Sequence, residues 1–504
     1  MNSALRINNR VAIGKASINR ARLTAGIVLS VTLLVPLFLS RYNYSVREVA
    51  LAMILLDVCL YPTYRYFFHR ETGLPILPVL CLSFALQYSA PILTNDPGLP
   101  TAFGFRVLEG SDIEAALALT IVGIIILEIT YYFVSRNNLL KALPSANLPM
   151  SKGKTEIFCL AVLAVSIFLP RLQTAFSQDT YLQFQAMIVL FQNQVLVVIS
   201  LLGWLVYSGQ GRRWHRLLLY VVIAVAAFRG FSTTMIEMMI LPLAVFFMTR
   251  WLYLRRLPIV TLALITFLFI FLSPVKKDIR GNIVQGGAAV AETTTTDRAS
   301  DWISQAIDYW RDTLNGTRDL AESTSDAANR TDQIHNFAHI YSLTPSVLPY
   351  QNGSTYSYLL IAWVPRIIWP EKPQANEANN YYAVAYEIST EEGIKTSSFG
   401  VSLIGEGYMN FGVTGVVLVM LVLATTLAVL QHIFAGPASG PGGQAIFLAT
   451  FVYFLNGIGT SAELMFGGLI QNLVCASILL WLVKQTNFRK IGMSASRVLR
   501  MKTS

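Results

Sequence analysis

Residues 258–281 read "PIVTLALITFLFIFLSPVKKDIRG", and a membrane rhythm breaks inside them. Residues 258–275 are almost wholly apolar, close to the roughly 18–20 needed to cross about 30 Å of hydrocarbon as a helix. Lys276, Lys277, Asp278 and Arg280 then open a polar stretch of 135 residues, 276–410, before apolar runs resume. Outward from this break, apolar runs lie at 23–40, 47–66, 75–93, 112–134, 156–170, 182–207, 216–232 and 235–250 on one side. On the other they lie at 411–433, 445–459 and 464–483. The pattern predicts an all-α polytopic membrane protein of about twelve transmembrane helices. Nine would lie in residues 1–275 and three in 411–484, with a long loop at 276–410 and a basic tail at 485–504.

Composition agrees. Hydrophobic residues make up 54% of the chain and charged residues 13%, and the mean hydropathy is +0.52, far from a soluble domain. Lys and Arg decide the sides. With the N-terminus inside, 23 of the 38 basic residues fall on segments facing the cytoplasm. Only Arg41, Arg47, Arg106, Arg171 and Arg229 fall in or beside the short loops opposite. Both termini are therefore expected inside and the long loop in the periplasm. That loop holds ten basic and sixteen acidic residues while the whole chain carries +10. The basic balance is a topology signature, so no nucleic-acid partner is expected. The first apolar run lacks a cleavage site and reads as a retained anchor. Cys59, Cys81, Cys159 and Cys475 each sit in an apolar run, which argues against a disulfide framework or a thiolate metal site.

The loop divides into three parts. Residues 276–300 are rich in Gly, Thr and Ala. From Asp301, "DWISQAIDYWRDT" puts Trp302, Ala306, Ile307 and Trp310 on one helical face, suited to a membrane surface or to covering the loop's own core. Residues 355–373, "TYSYLLIAWVPRIIWPEKP", hold an apolar run too short to span and cut by Pro365. A half-helix or re-entrant segment with Arg366 aimed toward the bundle is expected, inside a polar cavity.

Candidate chemistry follows from charge placed where it is costly. The twelve apolar residues before Arg229 cover about 18 Å of helix, which puts its guanidinium in the outer half of the bilayer. Such a charge needs a partner. It could be Glu237, pinning a helical hairpin, or the phosphate of a lipid carrier. Arg280, Arg366 and Lys372 could add donors for a pyrophosphate, where the planar fork of Arg suits two oxygens. His335 and His339 share a helix face at i, i+4. They read as packing histidines or as a base or substrate contact, and no metal site is expected without a third ligand. In "GEGYMNFG", Glu406, Tyr408 and Asn410 lie between glycines, as turn residues or as contacts to sugar hydroxyls. There is no nucleotide or dinucleotide motif, and no cofactor is expected.

These residues resemble the bacterial O-antigen polymerases, the Wzy-type oligosaccharide repeat-unit polymerases. The resemblance lies in "FRGFS", "TDQIHNF", the Pro365, Arg366, Trp369, Pro370, Lys372, Pro373 stretch, and Ser398. It continues through Glu406, Tyr408, Asn410, Phe411, Gly412 and Gly415. Its specific part spans about residues 329–415. It implies a metal-independent inverting glycosyltransferase of the GT-C type in the bacterial inner membrane, acting on undecaprenyl-pyrophosphate-linked glycans at the periplasmic face. A chain-length regulator and a flippase would be its partners, with membrane lipids around it. Arg229, Arg280, Arg366 and Lys372 would hold the pyrophosphate. His335, His339 or Glu406 would be the base or acceptor contacts, and Arg330, Tyr408 and Asn410 would touch glycan. O-antigen ligases share this architecture. A lipid-linked oligosaccharide flippase or a scaffolding subunit would also suit a many-helix chain, although the paired halves common in transporters are missing.

Overall fold

The computed structural model describes residues 44–68, 73–93, 99–101, 104–106, 108–169, 187–233, 235–255, 258–276, 279, 295–317, 331–361, 364, 369, 371–372, 376–395, 399–436 and 438–485. Among them, helices follow the apolar runs. They are α1 (Val46–Phe68), α2 (Ile76–Leu93), α3 (Gly110–Arg136), α4 (Lys152–Phe168), α5 (Met187–Tyr207), α6 (Arg213–Thr233), α7 (Ile236–Leu254) and α8 (Ile259–Leu272). After the polar stretch come α12 (Leu403–Ala435), α13 (Gly440–Gly457) and α14 (Ala462–Gln485). Seven of these, α2, α3, α5, α6, α7, α12 and α14, are long and apolar enough to cross a membrane. The chain is an α-helical membrane protein. The first expected span, 23–40, lies outside the described residues.

Their surfaces explain the solvent they need. Ile129 and Phe133 of α3, Leu217 of α6, and Ile259, Val260 and Phe267 of α8 all point out of the bundle, with Val260 79% exposed. Apolar groups this exposed, on helices apolar around their circumference, belong in lipid. The core is built on α3 against α12 and on α5, which packs against α4, α6, α7 and α13. Every residue from Leu196 to Leu205 in α5 is buried. One small departure from an all-helical chain is an antiparallel ribbon, β1 (Leu99–Thr101) with β2 (Gly104–Arg106), in the register Leu99↔Arg106.

The polar stretch between α8 and α12 folds into α9 (Thr295–Leu314), α10 (Ile334–Leu343), a 3₁₀ turn at Ser354–Leu360, and α11 (Glu377–Ala385). The end of the bundle they occupy is called the loop end below. The helix expected from Asp301 begins earlier, and its buried stripe is Ala299, Trp302, Ala306, Tyr309 and Thr313. Ile307, expected on that face, is 45% exposed. The stripe covers the ends of the membrane helices. Trp302 and Trp310 donate their indole N–H groups to the carbonyls of Leu272 and Phe271, each at 3.1 Å. Trp302 also packs edge-on against Phe231 at the end of α6. Both indoles thereby satisfy carbonyls left open where α8 ends.

Candidate functional site

The glycine-rich start of α12 is no turn. Leu403–Asn410 is helical, the backbone breaks at Phe411 and Gly412, and the helix then resumes. Gly412 has φ +61° and ψ −142°, a conformation open to glycine alone among common residues. A Cβ there would lie 2.8 Å from the Tyr350 hydroxyl. Across the break Gly407 and Gly415 touch so closely that a Cβ on Gly415 would sit 1.8 Å from the Gly407 carbonyl oxygen. The break frees the carbonyls of Met409 and Asn410. The amides of Gln351 and Asn352 donate to them at 3.0 and 3.2 Å. The loop thus replaces the bonds the helix gives up.

Glu406 and Asn410 complete this clamp from the side-chain side. One Glu406 oxygen accepts from the Thr355 hydroxyl at 2.8 Å and the other from the Ala462 amide at 2.6 Å, at the start of α14. Asn410 donates to the Thr355 hydroxyl oxygen at 2.8 Å, and its own oxygen accepts from the Gly353 amide at 2.9 Å. Both residues are 0% exposed. Glu463, one residue after Ala462, accepts in turn from the Ala378 amide at the first turn of α11, at 3.3 Å. Carboxylates at the N-termini of α14 and α11 therefore tie the polar stretch to the last hairpin. Burial, with Glu406 nearby, pushes the Tyr356 hydroxyl well above its ordinary range, so it stays protonated. Asn410 and Tyr408, candidates for touching glycan, are enclosed. Tyr408 is 5% exposed and packs against Phe337, Tyr341 and Tyr350.

The histidines of α10 are buried, each with its own partners. His335 Nδ1 lies 2.5 Å from Asp332 Oδ2, and its Nε2 lies 2.9 Å from the Tyr44 hydroxyl. Asp332 also accepts from the His335 amide at 3.2 Å. A carboxylate at Nδ1 fixes the proton there and leaves the Nε2 lone pair to the tyrosine O–H. The result is an Asp332–His335–Tyr44 chain whose outermost member, Tyr44, is half-buried. His339 donates from Nε2 to the Tyr386 carbonyl at 2.7 Å. Asp332 had a faint sequence signal, an acid three residues before His335 at a helix start. Tyr44 had none, because 291 residues separate it from His335.

Arg229 lies sixteen residues after Arg213, about 24 Å along α6. It donates to the Ser166 carbonyl at 3.4 Å. Its side chain lines a cavity of 310 Å³ with walls from α4, α5, α6 and α7, and Tyr453 of α13 closes one side. Glu237, one of the two candidate partners for Arg229, receives Lys276 at 3.4 Å. Lys372 is 5% exposed. It donates to the Val364 carbonyl at 3.0 Å beside the Tyr358 ring. Arg280, Arg330 and Arg366 lie outside the described residues. The Arg229 cavity and the Glu406 clamp meet the same hairpin tip. Tyr453 is four residues, about 6 Å, from the end of α13, and the Leu403 amide donates to the Ile458 carbonyl beyond it.

The chain belongs to the family described as Domain of unknown function (DUF8712), whose model matches residues 126–490. No curated protein and no solved structure matches it.

Proposed function

We propose that the chain is a metal-independent, inverting membrane glycosyltransferase that polymerises lipid-diphosphate-linked oligosaccharide units, an O-antigen polymerase reaction. The reading includes about twelve spans in a bacterial inner membrane, both termini in the cytoplasm, and the loop end in the periplasm. One observation carries it: a guanidinium, Arg229, in the wall of a largely apolar cavity between helices. A charge among membrane helices is costly unless it faces polar groups or an anion, and an apolar cavity beside it suits an anion that carries an apolar chain. A lipid diphosphate is such a ligand.

In the proposed reaction an acceptor hydroxyl attacks the anomeric carbon of the lipid-linked donor. The carbon–oxygen bond to the diphosphate breaks with inversion, and the lipid diphosphate leaves with the electron pair. Arg229, with Arg280, Arg366 and Lys372, would stabilise the charge growing on that leaving group. The acceptor's proton would pass to Tyr44 and His335, with Asp332 holding the imidazole in its accepting tautomer. The buried Glu406 clamp supports a positioning role for Glu406 rather than a proton-transfer one. A chain-length regulator and a flippase are the partners this activity would require.

Purified protein given undecaprenyl-diphosphate-linked repeat units is expected to yield a ladder of longer lipid-linked glycans. Arg229→Ala should lower product by about 10²–10³-fold, the usual loss when a donor to a developing anion is removed. Arg229→Lys keeps charge without the fork and should restore only part of it. Units that remain unextended with well-folded protein would defeat the reading. Product only with a lipid A core acceptor would mark a ligase, and transbilayer movement without covalent change would mark a flippase.

A further inference from the structure

The Arg229 cavity is open sideways. Two of its walls, α4 through Leu163 and Ile167 and α6 through Leu218, Val221 and Val225, flank the opening, and Met238, Leu241 and Pro242 of α7 line it further in. Ile167, Val221 and Val225 are 53, 47 and 51% exposed on the outer surface of the bundle. The floor is α5, which packs against both walls, whereas α4 and α6 share little packing of their own. Among the described residues, two polar contacts join α4 to α6. At one end His215 Nε2 meets Glu156 Oε1 at 2.9 Å. The Arg212 amide donates to His215 Nδ1, so Nε2 carries the proton and donates to the carboxylate. At the loop end Arg229 reaches the Ser166 carbonyl. Between these latches the walls are apolar, and the length from Leu218 to Arg229 is about 16 Å.

Polarity is graded along this slot. Arg229, Ser166, Gln192 and Asn193 gather toward the loop end, and the rest of the lining is apolar apart from Tyr453, with Leu163, Leu218, Val221 and Val225 among it. A ligand that matches has a compact anion at one end and a flexible apolar chain lying along the slot. Among the described residues the slot opens on the outer surface of the bundle, so a chain can slide in from the bilayer without passing through the core. The site is built for an amphiphile that arrives in the membrane plane.

We infer that the slot between α4 and α6 is a lateral portal that seats the isoprenoid tail of a lipid phosphate, with its phosphate end at Arg229. This deepens the reading above and rests on it for the identity of the lipid. The test uses full-length protein in nanodiscs of phosphatidylethanolamine and phosphatidylglycerol, with a diazirine-bearing polyprenyl phosphate as probe. Labelled peptides should come from α4, α5, α6 and α7, which line the cavity, and labelling should be competed by unlabelled undecaprenyl phosphate. Val225→Trp, which fills the slot from its open side, should cut labelling at least about tenfold. Val413→Trp, on the exposed surface of α12, should leave it unchanged. Should Val225→Trp fold poorly, Arg229→Gln provides the second arm, weakening capture of the phosphate probe but not of a polyprenyl alcohol carrying the same diazirine. Labelling spread over other helices, or equal competition by phosphatidylglycerol, overturns the portal. Portal labelling without any glycan ladder would retain this site and defeat only the polymerase reading.

Discussion

Replacing Glu406 by alanine separates a clamp from a catalytic base. The side chain is fully enclosed and takes two hydrogen bonds, from Thr355 and from the Ala462 amide. A hydrogen bond to a charged group contributes about 1.5–3 kcal/mol, so losing both should cost about 3–6 kcal/mol of local stability. At 1.4 kcal/mol per factor of ten, amides that depend on the clamp should exchange with solvent about 10²–10⁴-fold faster. The segments to follow are 350–356, whose amides bond to the broken end of α12, and 459–466 around Ala462. Hydrogen–deuterium exchange of detergent-solubilised protein, read by mass spectrometry, measures both. Glu406→Gln keeps one acceptor oxygen and should fall between. If Glu406→Ala left both segments within about threefold of the parent chain while activity vanished, the clamp reasoning would be refuted and Glu406 would belong to the chemistry.

Four further outcomes follow from the same geometry. Gly415→Ala should block correct folding, because its Cβ meets backbone that cannot move aside, whereas Gly468→Ala meets nothing within 4 Å and should be neutral by thermal melt. Tyr44→Phe should lower glycan product by about 10²-fold or more, the scale of general acid–base catalysis, with melting temperature nearly unchanged. A parent-like rate would remove Tyr44 from the proton path. Trp302→Ala should destabilise by about 3–5 kcal/mol, as buried Trp truncations do, but Ile307→Ser should stay within about 0.5 kcal/mol. Finally, burial raises the Tyr386 hydroxyl to about 12 from an ordinary 10.0. The folded state then holds a proton that the unfolded state releases first. Its stabilising share should be complete below pH 10 and vanish as pH rises through 12, visible as an alkaline melt that Tyr386→Phe moves upward.

Seven membrane helices were legible because a helix that crosses a bilayer must be long and apolar, whatever it packs against. The run expected at 112–134 became Gly110–Arg136, and that at 464–483 became Ala462–Gln485. What lay between was harder to read for stated reasons. "GEGYMNFG" looks like a turn because glycines usually punctuate, but here they let two helix segments touch across a break. The buried stripe of α9 is rotated from the expected one, since Tyr309 and Thr313 rather than Ile307 face the helix ends below. Arg229 was legible as a costly charge, but its cavity depends on four helices meeting. The Tyr44–His335 contact could be found only in three dimensions.

The carboxylate ties also bear on biosynthesis. Thr355, Glu406 and Ala378 are translated well before Ala462 and Glu463, the groups that complete their bonding. While the ribosome is still making α13, the Glu406 carboxylate therefore lacks the Ala462 amide it will later receive, and α11 lacks its cap. The polar segment between α8 and α12 reaches its final shape only when the closing hairpin is in place. A chain stopped before Ser461 would carry most of its hydrophobic helices and still lack the keystone.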